Sequence, residues 1–99
     1  MKKLALLLSL SLSFACANSE KQIVEVSCGQ CQFGLTTQEG CDLAVRIDDK
    51  AYFVDGAHID DFGDAHDENT GFCEVIRTGE VSGEILENRF KVSSLELKN

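Results

Sequence analysis

Hydrophobic and polar positions alternate with a period of two over most of the chain beyond residue 20, which is the signature of half-buried strands. "KQIVEVS" carries enough β-branched residues to read as a first strand that runs into Cys28. In "CDLAVRI", Leu43, Val45 and Ile47 share one face, with Ala44 and Arg46 on the other. "KAYFVDG" follows, with Tyr52 and Val54 opposed to Ala51 and Phe53, so Asp48-Asp49 reads as the two-residue turn of a hairpin that lacks the favoured glycine. "GEVSGEI" and "RFKVSSLEL" flank Glu87-Asn88 as a second hairpin. Within the last segment Phe90 and Val92 have one parity and Leu95 and Leu97 the other. This switch at Ser93-Ser94 implies a bulge or a strand buried on both faces. Between the hairpins, "TGFCEVIR" has Phe72, Val75 and Ile76 at helical spacing behind Thr70, a fitting cap, so a short helix is expected there. Three strands, a helix and two strands is the order of a small five-stranded OB-like barrel, mainly β with one short helix. An open antiparallel sheet carrying one helix is the alternative.

The N-terminus breaks this pattern. Lys2 and Lys3 precede an unbroken apolar and small-residue run from Leu4 to Phe14, too short to span a bilayer with a stop-transfer signal, so residues 1–17 read as a signal peptide. Cleavage fits either after Ala17 or, as in bacterial lipoproteins, before Cys16, which would then be the lipidation site. Residues 18–99 remain as one small β-rich domain. An exported protein of the periplasm or cell envelope, lipid-anchored if Cys16 is modified, is the expected setting.

Charge narrows the function. Lys2 and Lys3 are two of nine basic residues, while all seventeen acids lie beyond residue 17, so residues 18–99 hold seven cations against seventeen anions, a formal net charge of −10. Nucleic acid, which demands a basic footprint, is excluded as a partner, and an anionic membrane surface is disfavoured. Contact with a membrane is expected only through a lipid anchor, and a partner is expected to be another envelope protein or a small ligand.

Both cleavage readings leave Cys28, Cys31, Cys41 and Cys73. An even set in a short exported chain points to disulfides. Three connectivities are open. In the chain-entropy model a Cys41–Cys73 link stabilises by about 3.5–4 kcal/mol and a Cys28–Cys31 link by only about 2 kcal/mol. The same four thiols suit a tetrahedral zinc or cuprous copper site. "HIDDFGDAH" adds His58, His66, Asp61 and Asp64 as further candidate ligands beside Cys73, although an acidic loop is ordinarily a solvated face and its spacing does not follow a calcium loop. The third reading, a thiol–disulfide redox protein, rests on Cys28-Gly-Gln-Cys31. It lacks the context that makes such a pair reactive: the chain has no proline, and no clear helix follows the motif. No nucleophile stands ready for a His58–Asp60 pair, and no apolar cleft is evident to raise a carboxylate, so the residues point away from an enzyme.

"CGQCQFG", "GCDLAVRID", "KAYFVDG", "HIDDFGDAH" and "GFC", in that order from about Val24 to Leu97, resemble a family of small exported bacterial proteins of unknown function. The resemblance implies an exported or lipoprotein setting and one compact domain, and it supplies no substrate. Similar members share His58, His66 and the four cysteines, which favours a metal over staples alone. The resulting expectation is a non-catalytic envelope protein binding a metal through its cysteines and its His/Asp loop, with a disulfide-stapled interaction module as the alternative.

Overall fold

The computed structural model describes residues 20–98, so the expected signal peptide and the candidate lipidation site Cys16 lie outside the described residues. The period-two segments become β1 (Gln22–Cys28), β2 (Leu43–Ile47), β3 (Lys50–Asp55), β4 (Arg77–Leu86) and β5 (Arg89–Lys98). They close a barrel in the order β1-β2-β3-β5-β4. Every pairing is antiparallel except the short β3–β5 seam, where Val54 and Asp55 lie parallel to Phe90 and Lys91. This is the expected OB-like architecture. Among the described residues no helix is long and apolar enough to cross a membrane.

Local sequence explains the corners. Asp48 (φ 51°), Asp49 (φ 70°), Glu87 (φ 54°) and Asn88 (φ 65°) are all left-handed, the backbone that matches a two-residue hairpin to the strand twist. Aspartate and asparagine tolerate that region better than most residues, so the Asp48-Asp49 turn forms without glycine. In the second hairpin Ser82 pairs with Ser94 and Gly83 with Val92, so Ser93 is skipped in the ladder, its hydroxyl bonding to Ser82 O at 3.1 Å. This bulge accounts for the parity switch: Phe90 is in the core, and Val92, Leu95 and Leu97 all pack against it.

The helix falls elsewhere than expected. Residues 70–76 form turns only, and the short helix is α1 (Gly29–Gln32), inside the Cys-x-x-Cys motif, where none was evident from sequence. A 3₁₀ turn over Ile59–Phe62 accompanies it in the β3–β4 connection. The reason is a competition for carbonyls. Gly71 O accepts from the N–H groups of Glu74 and Val75, as in a helical first turn. The next acceptor, Phe72 O, is taken by the Cys28 N–H at 3.2 Å and the Ser27 hydroxyl at 2.7 Å, so the turn cannot propagate.

Val24, Val26, Leu43, Val45, Ile47, Val54, Val81 and Phe90 fill the interior. Ile59, Ala65 and Phe72 from the β3–β4 connection join them and close one end, with Phe62 meeting Phe72 edge to face at 5.9 Å. One row breaks the inside–outside rule. Ser27, Ala44 and Phe53 are cross-strand neighbours on the outer face, yet they are 0, 0 and 4% exposed. The chain covers them from outside.

Candidate metal centre

Three stretches of chain meet at the closed end of the barrel. Cys28 ends β1 with its side chain on the inner face, fully buried, and caps α1: its Sγ accepts the Cys31 N–H at 3.4 Å. Cys31 lies on α1 and is exposed. Cys41 stands just before β2, half-buried, with its thiol 2.7 Å from Cys28 Sγ. Cys73 arrives from the β3–β4 connection, its N–H bonded to Ala65 O at 2.9 Å. The four Sγ atoms lie within 4.8 Å of one another.

Polar side chains hold the two distant cysteines in place. Gln30, between the first two cysteines, accepts the Asp42 N–H on Oε1 at 2.8 Å and donates from Nε2 to Asp42 Oδ2 at 2.8 Å, which fixes the backbone beside Cys41. Gln38 Nε2 donates to the same carboxylate oxygen at 2.8 Å. Gln38 and Gln30 together hold the Asp42 carboxyl below the usual carboxylate range. Gln32 donates to Cys73 O at 2.9 Å. Ser27 shares one hydroxyl proton between Phe72 O and Val75 O, each 2.7 Å away, and so ties the Cys73 turn to β1. Sequence reading passed over Ser27, Gln30, Gln32 and Asp42. The available signal was their position next to cysteines, and their partners are remote in sequence.

The thiols differ in acidity. Burial would raise Cys28, but hydrogen bonds from the Cys41 thiol and the Cys31 N–H outweigh it, and its pKa falls below that of an ordinary thiol. Cys31 is pushed up to about 11, first by its hydrogen bond with Cys28 and then by burial. Cys41 is pushed up further, mainly by burial and then by its bond to Cys28. Cys28 is therefore easier to ionise than Cys31 or Cys41, and an incoming ion has to displace at least the Cys31 and Cys41 protons. Because ligand deprotonation limits binding below those pKa values, apparent affinity should rise at least about a hundredfold per pH unit. Competition with a chromophoric chelator from about pH 6 to about pH 8 checks the slope. A pH-independent affinity would show that all four sulfurs are already ionised.

Four sulfurs at this separation fit a tetrahedral ion. Zn–S bonds of about 2.3 Å set sulfur–sulfur edges near 3.8 Å, inside the span observed, although Cys28 and Cys41 would have to part by about 1 Å. Gln30→Ala removes both bonds to Asp42 and should weaken metal binding about 10–100-fold, the usual cost of losing support behind a ligand. The same chelator competition measures it, and unchanged affinity would show that the Gln30 bonds do not set the site.

The His/Asp loop does other work. His58 Nδ1 accepts the Asp60 N–H at 3.2 Å, and Asp61 Oδ2 accepts the His58 N–H at 2.9 Å, a reciprocal cap on the 3₁₀ turn. Asp64 Oδ1 accepts the His66 N–H at 2.9 Å, and Asp67 Oδ1 accepts from Asn69 and Thr70. Among the described residues, the group with convergent ligand atoms consists of the four cysteines, without His58, His66, Asp61 or Asp64. The Cys-x-x-Cys pair joins antiparallel β1 and β2 rather than sitting in the βαβ unit of a thioredoxin.

No curated protein and no solved structure matches the chain. Residues 22–98 match the model described as "Family of unknown function (DUF6370)", and the chain belongs to that family.

Proposed function

We propose that this domain is a non-catalytic metal-binding module of the cell envelope, with Cys28, Cys31, Cys41 and Cys73 as the ligands of one zinc ion. The observation that carries the reading is the convergence of four sulfurs, drawn from three separate stretches of chain, within 4.8 Å. Four protein ligands complete a tetrahedron and leave no position for substrate, which is the arrangement of a structural zinc site. Cuprous copper suits the same thiolates and is the competing ion. The lysine-led apolar segment before Ala17 supports export, and a filled site would protect the thiols from oxidation there.

A second reading is favoured by the 2.7 Å approach of Cys28 and Cys41, which two thiols on the way to a disulfide would share. A staple there closes a loop of about 14 residues and would stabilise by about 3 kcal/mol.

The test is native and denatured mass of protein recovered from the envelope, combined with elemental analysis and thiol alkylation. One ion per chain, with four alkylatable thiols after chelation, is the expected result. Metal-free protein with alkylation-resistant cysteines and a mass lower by two hydrogens per pair would replace the metal centre with staples.

A further inference from the structure

The outer row Ser27–Ala44–Phe53 is buried by the same two segments that deliver the cysteines. Gly29 of α1 lies flat on it: a Cβ there would come 2.6 Å from Phe53 Cε1 and 3.1 Å from Ala44 Cβ. After α1 the chain doubles back, with the Leu35 N–H on Gly29 O at 3.0 Å. Leu35 Cδ1 would be 3.0 Å from that Cβ, and the Phe33 ring stacks on the Arg46 guanidinium at 4.8 Å. Gln38 then accepts from Arg89 at 3.0 Å, and Arg89 itself covers Phe53 at 5.7 Å. Residues 33–40 thus form a strap over the outer face of β2 and β3. Cys31 precedes it, Cys41 follows it, and the turn around Cys73 covers Ser27 from the other side.

We propose that the metal centre is the latch of this strap, so that metal loading closes the outer face of β2–β3 and metal release bares it. The inference rests on the metal reading above and adds what that ion controls. The strap has no hydrogen-bonded ladder of its own. Its hold consists of half-buried Phe33 and Leu35, the Phe33 and Leu35 N–H groups on Gly29 O, the Phe33–Arg46 contact, the Gln38 contacts and its two cysteine-bearing ends. An ion binding Cys31 and Cys41 together shortens the free loop between them to nine residues and removes much of the entropy gained by opening. Strands β2 and β3 are held by backbone ladders to their neighbours, which the strap lacks, so release is expected to loosen the cover before the barrel. The bared surface is apolar at Ala44 and Phe53 and flanked by Arg46 and Arg89, whose charges are already met by Glu25 and Asp55, so it takes an aromatic ligand through its apolar face. In an OB-type barrel this is also the face available for binding. By linkage, whatever binds the bared face must lower metal affinity by the same factor that metal lowers its own.

The test is hydrogen exchange by mass spectrometry on the full chain, zinc-loaded and chelated, with metal content read by native mass on the same samples. Anilinonaphthalene sulfonate serves as the aromatic probe. Chelation is expected to speed exchange across residues 33–40 at least tenfold and to raise probe fluorescence, with β4 and β5 still protected. Phe33→Ala with Leu35→Ala should loosen the same residues in the zinc-loaded protein without loss of the ion. Zinc bound in one equivalent with exchange at 33–40 indifferent to chelation overturns the latch and leaves the metal centre standing, as does uniform unfolding of the whole barrel on chelation. No zinc in the native mass overturns both.

Discussion

Cys28→Ser is expected to abolish stoichiometric metal binding and, with it, the stabilisation that the ion gives the fold. Cys28 is the sulfur on the inner face of the barrel, at 0% exposure, and the neighbour of both Cys31 and Cys41. Serine retains an acceptor for the Cys31 N–H, so the cap on α1 survives and the substitution isolates metal ligation. At zinc a thousandfold above its Kd, an ion bound only to the native state contributes about 4 kcal/mol. For a domain of this size that corresponds to about 15–30 °C in Tm. Wild-type protein should therefore lose that margin on chelation, whereas the variant should melt at one temperature with or without zinc. Thermal melts with added zinc, chelator or reductant read all the outcomes. A wild-type Tm indifferent to zinc and lowered by reductant would establish staples in place of the centre.

Phe72→Ala is expected to cost about 3–5 kcal/mol. For a domain with about 4–12 kcal/mol in all, that is at least about a quarter of its stability. Phe72 is 2% exposed, closes the end of the barrel against Phe62, and lies under the Arg77 guanidinium at 5.7 Å. Its carbonyl accepts from Cys28 and Ser27, and Cys73 follows it directly, so the cavity left by alanine opens beside the sulfur cluster. Phe72→Leu keeps most of the volume and should cost no more than about 1–2 kcal/mol. Urea midpoints of the chelated proteins at unchanged slope give both differences. A loss under about 1 kcal/mol for alanine would mean that the β3–β4 connection can repack without its ring.

The contrast between these two residues shows where sequence reading succeeds. Phe72 was legible as a hydrophobic anchor of the β3–β4 connection, but its spacing to Val75 and Ile76 suggested a helix. Only the Cys28 and Ser27 bonds to its carbonyl, 44 and 45 residues back along the chain, decided against one. The His/Asp block is conspicuous in sequence for the same reason that it is local: its carboxylates cap turns two or three residues away. Gln30, Gln32 and Ser27 are inconspicuous because every partner that gives them a role is distant.

From the sequence alone came the five strands, both hairpin turns, a parity switch at Ser93-Ser94 that a bulge or a doubly buried strand would explain, and a preference for a small barrel over an open sheet, because alternation of side chains along a strand is a one-dimensional signal that burial imposes on neighbouring residues. The match of residues 22–98 to a family of unknown function agrees with the resemblance to such a family. The tertiary structure alone decided that four sulfurs share one 4.8 Å neighbourhood, that the histidines stand outside it, and that Ala44 and Phe53 are buried on an outer face. Those facts depend on where β1, the Cys41 segment and the Cys73 turn meet in space, and the periodicity within each of them is silent about the other two.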